Sequence, residues 1–364
     1  MVCFFASTKF QIINAVNIVL QDKLDADLYI INEYIYDNCS ELSQKIKAEK
    51  IFNNVKLIET DIFNCNTSST RINTFKLYLN CGKVVKSFLL REEYEKIYFC
   101  TNSLIERLVR FYFLNAGAPS TKFIMYDEGV ASYMGIMETA GRFAERVVRY
   151  ILFGKKSLNT VFNKCLYVPE FYCKFNDSQY GTVAKIEPID IESSAMSIYN
   201  RIFDFKENGC MKEKFIFLDT VHKRALKKDA QVGYEKIIEN IFNMTKDNLI
   251  IKSHPSDKSS RIDGVKYFDN SDYPFEIIAA NSDINDKILI TLSSTASVTP
   301  KIIFDKEPVV ILLYKMFSDS LLEWNDYYDT FFQKVKESYK SKNRFFIPKT
   351  YDEFENIINR FLNC

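Results

Sequence analysis

Only two histidines occur in the chain, and one of them stands where ligand chemistry is usually done. His254 leaves an apolar run directly, in Leu249-Ile250-Ile251-Lys252-Ser253-His254-Pro255. In open α/β sheets, ligands gather beyond the carboxyl ends of strands. Pro255 restricts the residue before it to extended backbone, which holds the imidazole at the strand's exit. A turn histidine with no task is the plainer alternative. His222, inside the basic run His222-Lys223-Arg224, reads as a surface residue.

Three further constellations follow short apolar runs. Tyr126-Asp127-Glu128-Gly129 places two carboxylates at a strand end, with a glycine that permits a tight turn. A general base needs such a position, although Asp-Glu-Gly is also an ordinary turn. Ser293-Ser294-Thr295 follows KILITL. Hydroxyls and main-chain N–H groups opening a helix make a natural phosphate cradle, and the same residues could be a plain N-cap. Between them, Tyr273-Pro274-Phe275-Glu276 opens a helical pattern. A carboxylate there can accept from two vicinal hydroxyls, as on a ribose, or simply be a solvated first-turn glutamate favoured by the helix dipole.

These residues need strands and helices to position them, and the pattern supplies both. Short apolar runs alternate with helical periods, the signature of βαβ units and parallel sheets. Residues 2–6, 26–31, 53–58, 96–101 and 122–126 read as a first series of strands. The turn Ser7-Thr8-Lys9 leads into a helix with Phe10, Ile13, Val16 and Leu20 at helical spacing, and Asn102-Ser103 precedes one carrying Leu104, Leu108 and Phe111. Residues 157–195 hold Pro169, Pro188 and no long period, so the interdomain connection is expected near 185–210. A second series follows at 214–218, 248–252, 265–268, 287–292 and 309–313, with a helix over 231–243. Two serial sets predict an α/β chain of two Rossmann-like domains, 1–195 and 196–364, facing across a cleft: the GT-B architecture. The final segment 351–362 is expected as an amphipathic helix that crosses back to the first domain.

Composition excludes several classes. The 364 residues are 47% hydrophobic, enough for two cores. A net charge of +1 argues against an electrostatic nucleic-acid binder. Nine scattered cysteines without a CxxC pair resemble neither a disulfide framework nor a zinc site, and suit a reducing compartment. No run approaches the length of a membrane span and no cleavable signal is apparent, so a cytoplasmic protein is expected. The stretch 142–156 is basic and amphipathic. It reads as a core-facing helix with an arginine outer face, or as a peripheral contact with the cytoplasmic membrane.

In order and combination, the elements DEG, HP, FE and SST resemble the motifs of bacterial sialyltransferases: a D/E-D/E-G motif, an HP motif and a serine motif. The likeness includes the surroundings YDEGVASY, IKSHPSD, YPFEIIAA and ITLSSTASV, and the opening FFASTKFQIINAV is similar to that of glycosyltransferase family 52, the lipooligosaccharide and capsule sialyltransferases. The multifunctional marine and Pasteurella sialyltransferases and the polysialyltransferases share these motifs. The resemblance implies an inverting displacement that moves sialic acid from CMP-sialic acid to a galactoside or other oligosaccharide acceptor, with no cofactor and no metal ion. By position, Asp127 would be the base and His254 the acid. Lys252, Pro255, Ser293, Ser294 and Thr295 would hold the phosphate side of the donor, and Glu276 the ribose or cytidine. Ser7, Thr8, Asn102, Glu128 and Gly129 would support the acceptor side. The resemblance also implies, from family 52 members that use an aspartate of the second half, Asp219 and Asp229 as alternative bases, and it is compatible with a homodimer. Asp25-Ala26-Asp27 has the letters of a metal-binding DxD motif but enters a predicted strand, the wrong end. The rival readings are a GT-B enzyme using another nucleotide sugar such as CMP-Kdo, and a non-catalytic nucleotide- or glycan-binding module.

Overall fold

The computed structural model describes residues 1–33, 38–60, 76–100, 103–115, 121–129, 165–169, 183–206, 211–220, 226, 228–254, 261–268, 273–317 and 325–362. The chain divides into two units, Met1–Glu187 and Pro188–Cys364.

The first unit begins with β1 (Val2–Ala6), whose five residues are all buried, as expected for a parallel strand covered on both faces. Helix α1 (Lys9–Asp22) starts where the Thr8 side chain accepts from the Gln11 N–H, and ends where Lys23 turns left-handed. Then come β2 (Ala26–Asn32), α2 (Cys39–Ala48), β3 (Asn54–Glu59), α3 (Cys81–Phe88), β4 (Lys96–Phe99), α4 (Leu104–Asn115) and β5 (Lys122–Tyr126). The sheet does not close at Tyr126, as the sequence suggested. It continues through β6 (Cys165–Pro169) and β7 (Val183–Ile186), short strands in a stretch whose prolines and polar residues hide any apolar period.

All pairings are parallel, in the order β3-β2-β1-β4-β5-β6-β7. Aromatic residues lock the central register. Phe4 lies opposite Tyr98 and stacks on it at 4.2 Å, and Phe5 lies opposite Tyr29 and stacks at 4.6 Å. Such pairs add about 0.5–1.5 kcal/mol beyond their buried area.

The second unit contains α5 (Ser194–Ile202), β8 (Phe215–Leu218), α6 (Lys228–Thr245), β9 (Leu249–Lys252), β10 (Lys266–Tyr267) and α7 (Phe275–Asn281). It goes on through β11 (Ile288–Thr291), α8 (Thr299–Phe304), β12 (Val309–Leu312), α9 (Asn325–Ser338), β13 (Phe345–Phe346) and α10 (Tyr351–Leu362). Its sheet, also parallel, runs β10-β9-β8-β11-β12-β13. Counted within its unit, that is the order 3-2-1-4-5-6 of a doubly wound nucleotide-binding sheet. The first six strands of the first unit follow the same order. The helix over 351–362 is present. Phe354, Ile357 and Ile358 pack into the second unit's core with Phe215, Phe217, Ile290 and Ile311.

Candidate functional site

In each unit the order reverses beside the first strand, between β1 and β4 in one sheet and between β8 and β11 in the other. Crevices outside such switch points are where doubly wound sheets bind ligands. The residues singled out from the sequence form two groups around these points, one in each unit.

In the first unit, β5 ends in the acidic turn. Asp127 is 1% exposed, and its Oδ1 accepts from the Gly129 N–H at 2.8 Å. Gly129 has φ 101°, which only glycine adopts freely, so the tight turn foreseen after Glu128 is real. Helix α1 holds the turn from below. The Asn14 side-chain amide donates to the Asp127 carbonyl at 3.0 Å, and the Gln11 amide donates to Glu128 Oε2 at 2.9 Å. Gln11 Oε1 in turn accepts from the Ser7 N–H at 2.6 Å and the Ser7 hydroxyl at 3.2 Å. Thr8 is engaged as the α1 cap, so its hydroxyl has a structural task.

Glu106 enters from α4. Ser103 and Glu106 form a reciprocal cap: Glu106 Oε2 accepts from the Ser103 N–H at 3.0 Å, and the Ser103 hydroxyl accepts from the Glu106 N–H at 3.2 Å. Burial first, then the charges of Glu106 and Asp127, push the Glu128 carboxyl well above the usual carboxylate range, and the Gln11 hydrogen bond offsets part of this. Glu128 therefore holds its proton where ordinary glutamates have lost theirs.

In the second unit, three adjacent strands end at one edge. Leu218 pairs with Lys252 and Phe217 with Ile290, so the exits of β9, β8 and β11 lie side by side. Past them come His254, Asp219 and Ser293. The Asp219 N–H donates to the Lys252 carbonyl at 3.0 Å, and the Thr291 hydroxyl to the Leu218 carbonyl at 2.7 Å, which ties the three exits together. Lys252 is buried, with its ammonium 5.9 Å from the centre of the Phe268 ring.

Glu276 is not a solvated first-turn residue. It is 7% exposed, and burial pushes its carboxyl up. Its own backbone N–H, the Thr299 hydroxyl and the Lys252 charge partly offset that shift. Lys252, Glu276 and Thr299 thus form one electrostatic group at this edge.

The serine motif differs from expectation in one respect. It does not open a helix directly: a single 3-10 turn, Thr295–Ser297, intervenes before α8. Ser294 stands at the start of that turn without a side-chain capping bond, while its N–H donates to the Thr291 hydroxyl at 3.2 Å. The plain N-cap alternative therefore does not describe Ser294. Of the alternative bases, Asp219 accepts from the Tyr234 hydroxyl at 3.0 Å and from the Thr220 N–H at 2.8 Å. Asp229 lies in α6, and its side chain, like Asn102, Pro255 and the stretch 142–156, lies outside the described residues.

Gln11, Asn14, Glu106 and Thr299 were not singled out in the sequence. A signal existed for two of them: Thr8-x-x-Gln11 and Ser103-x-x-Glu106 both have the spacing of a capping box. Among the described residues, no three His, Cys, Asp or Glu side chains lie close enough to hold a metal ion. No described helix is long and apolar enough to cross a membrane.

Comparison with known proteins gives three findings. The family model described as Alpha-2,8-polysialyltransferase (POLYST) matches residues 3–313, a span that contains both groups. No curated protein matches. Among solved structures, the UDP-GlcNAc 2-epimerase of Methanocaldococcus jannaschii, in complex with UDP-GlcNAc and UDP, is 14% identical, with 100% of this chain and 93% of that chain covered and a TM-score of 0.54. The glycotransferase of kitacinnamycin is 8% identical, with coverage of 100% and 91% and a TM-score of 0.53. At these identities the likeness shows the fold alone, the two-unit α/β architecture of GT-B proteins.

Proposed function

The chain belongs to the alpha-2,8-polysialyltransferase family and is a glycosyltransferase, and from that premise we propose that it moves sialic acid from CMP-sialic acid to a sugar hydroxyl by one inverting displacement. The observation that carries the reading is the edge where β9, β8 and β11 end together. It gathers a buried lysine, a histidine and a run of hydroxyls within one doubly wound sheet. That set matches a single phosphate bearing a nucleoside. Lys252, Ser293, Ser294 and Thr295 hold the phosphate, and Glu276 accepts from the ribose or cytidine.

In the transfer, Asp127 takes the proton of the acceptor hydroxyl as its oxygen bonds to the anomeric carbon. The bond from that carbon to the phosphate oxygen breaks, and His254 gives a proton to the departing phosphate. Oriented donors of this kind lower a barrier by about 3 kcal/mol each. CMP carries one phosphate, so protein donors replace a cation and the reaction runs without a metal. The acceptor is a galactoside end of a surface glycan such as lipooligosaccharide or capsule. The family's name adds a sialylated chain end as the second acceptor to test.

Calorimetry in EDTA with CMP and UDP tests the donor assignment. CMP is expected to bind more tightly than UDP, and stronger UDP binding would sink it.

A further inference from the structure

We propose that Gln11 is a positioning residue for this transfer: it ties Ser7 at the end of β1 to Glu128 at the end of β5, and so fixes the carboxyl groups of the acidic turn at the carboxyl edge of the first sheet. The inference rests on the function proposed above, but its geometry stands apart from it.

Gln11 is fully buried, and both ends of its amide are used. Its oxygen accepts from the Ser7 N–H, which settles which way the amide faces, so the nitrogen must donate toward Glu128. Asn14, one turn further along α1, holds the Asp127 carbonyl. One helix thus grips both members of the turn. With Oε2 of Glu128 accepting from Gln11, the proton that Glu128 retains is favoured on Oε1. The groups facing that carboxyl are Glu106 from α4, Asp127 on the same turn, Cys100 at the end of β4 and Tyr126 in β5.

The competing explanation is that Gln11 only fastens the start of α1 locally, its oxygen accepting from Ser7, the residue before the Thr8 cap. That fastening needs the amide oxygen, whereas positioning Glu128 needs the amide nitrogen. Gln11→Glu separates them, because it keeps an oxygen for Ser7 and removes the donor.

The test measures transfer from CMP-sialic acid across pH for wild type, Gln11→Leu and Gln11→Glu, together with melting temperature and CMP affinity. Gln11→Leu is expected to lower kcat at least about tenfold with CMP affinity unchanged. Gln11→Glu is expected to melt near wild type within the ordinary carboxylate pH range, yet to lose kcat on the alkaline side, where the proton shared by two facing carboxyls departs. A Gln11→Leu enzyme with wild-type kcat, or a Gln11→Glu pH profile superimposable on wild type, overturns the proposal and leaves Gln11 a local fastening of α1.

A second readout does not depend on the reaction. Infrared difference spectra against Glu128→Gln, recorded as pH rises from the ordinary carboxylate range, should show a protonated-carboxyl band that moves to higher frequency in the Gln11→Leu background. An absent or unmoved band overturns the proposal. If wild type transfers nothing from CMP-sialic acid, the donor reading fails while this band still decides the role of Gln11.

Discussion

Replacing Asp27 should destabilise the first unit rather than weaken donor binding. Asp27 is 0% exposed and sits at the start of β2. Its carboxylate accepts from the Tyr94 hydroxyl at 2.7 Å, the Asn54 amide at 2.9 Å and Arg91 Nε at 3.0 Å. Hydrogen bonds to a charged group contribute about 1.5–3 kcal/mol each. The two bonds from Tyr94 and Asn54 then set a loss of roughly 3–6 kcal/mol for Asp27→Ala, consistent with about 3–5 for breaking a buried charged pair. The Arg91 guanidinium is substantially exposed and re-solvates, so its share is discounted. Tyr94→Phe removes one of the two bonds and should cost about half as much. Urea unfolding followed by circular dichroism gives the loss, and hydrogen exchange of peptides from β1 to β4 locates it. A loss under about 1 kcal/mol, or exchange raised only in the second unit, would refute the reasoning. CMP affinity of the folded protein should not change, because these letters of a DxD motif brace a strand's entrance.

Two further outcomes follow from the site. Asp127→Asn should cut turnover by about 10²–10⁴-fold and leave CMP affinity nearly intact, whereas His254→Ala should lower both, since CMP itself carries the phosphate. Kinetics with calorimetry distinguishes them, and wild-type turnover in Asp127→Asn beside an inactive Asp219→Asn or Asp229→Asn would move the base to the second unit. Glu128→Gln should raise the melting temperature at about pH 8 and have little effect near pH 4. The folded state keeps a proton that the unfolded chain releases, so stability falls as pH climbs from the ordinary carboxylate range toward the raised value. Melting curves across pH check this, and a difference that grows toward acid would contradict it.

Much of the fold was legible because each strand in the two sheet centres is a short apolar run followed by polar residues. The strands β6, β7 and β13 were not legible. The first two lie among prolines and polar residues, and the last is two residues long, Phe345–Phe346. The final helix showed its apolar stripe in the sequence, but a stripe does not say which core receives it. The site divides in the same way. The positions of Asp127, Lys252, Glu276 and Ser293 at strand exits and a helix start were legible because such places leave local marks in the sequence. Gln11 and Asn14 act on residues 117 and 113 positions away, a relation no local pattern carries. The polar side chains of Gln11 and Asn14 on an otherwise apolar helix were the one local hint.

The most direct measurement is product analysis after incubating the protein in EDTA with CMP-sialic acid and a panel of galactosides and sialylated oligosaccharides. The account predicts a new sialoside whose anomeric configuration is inverted relative to the donor, with CMP released in equal amount. Donor left intact with every acceptor, or transfer from a UDP-sugar in its place, would contradict it.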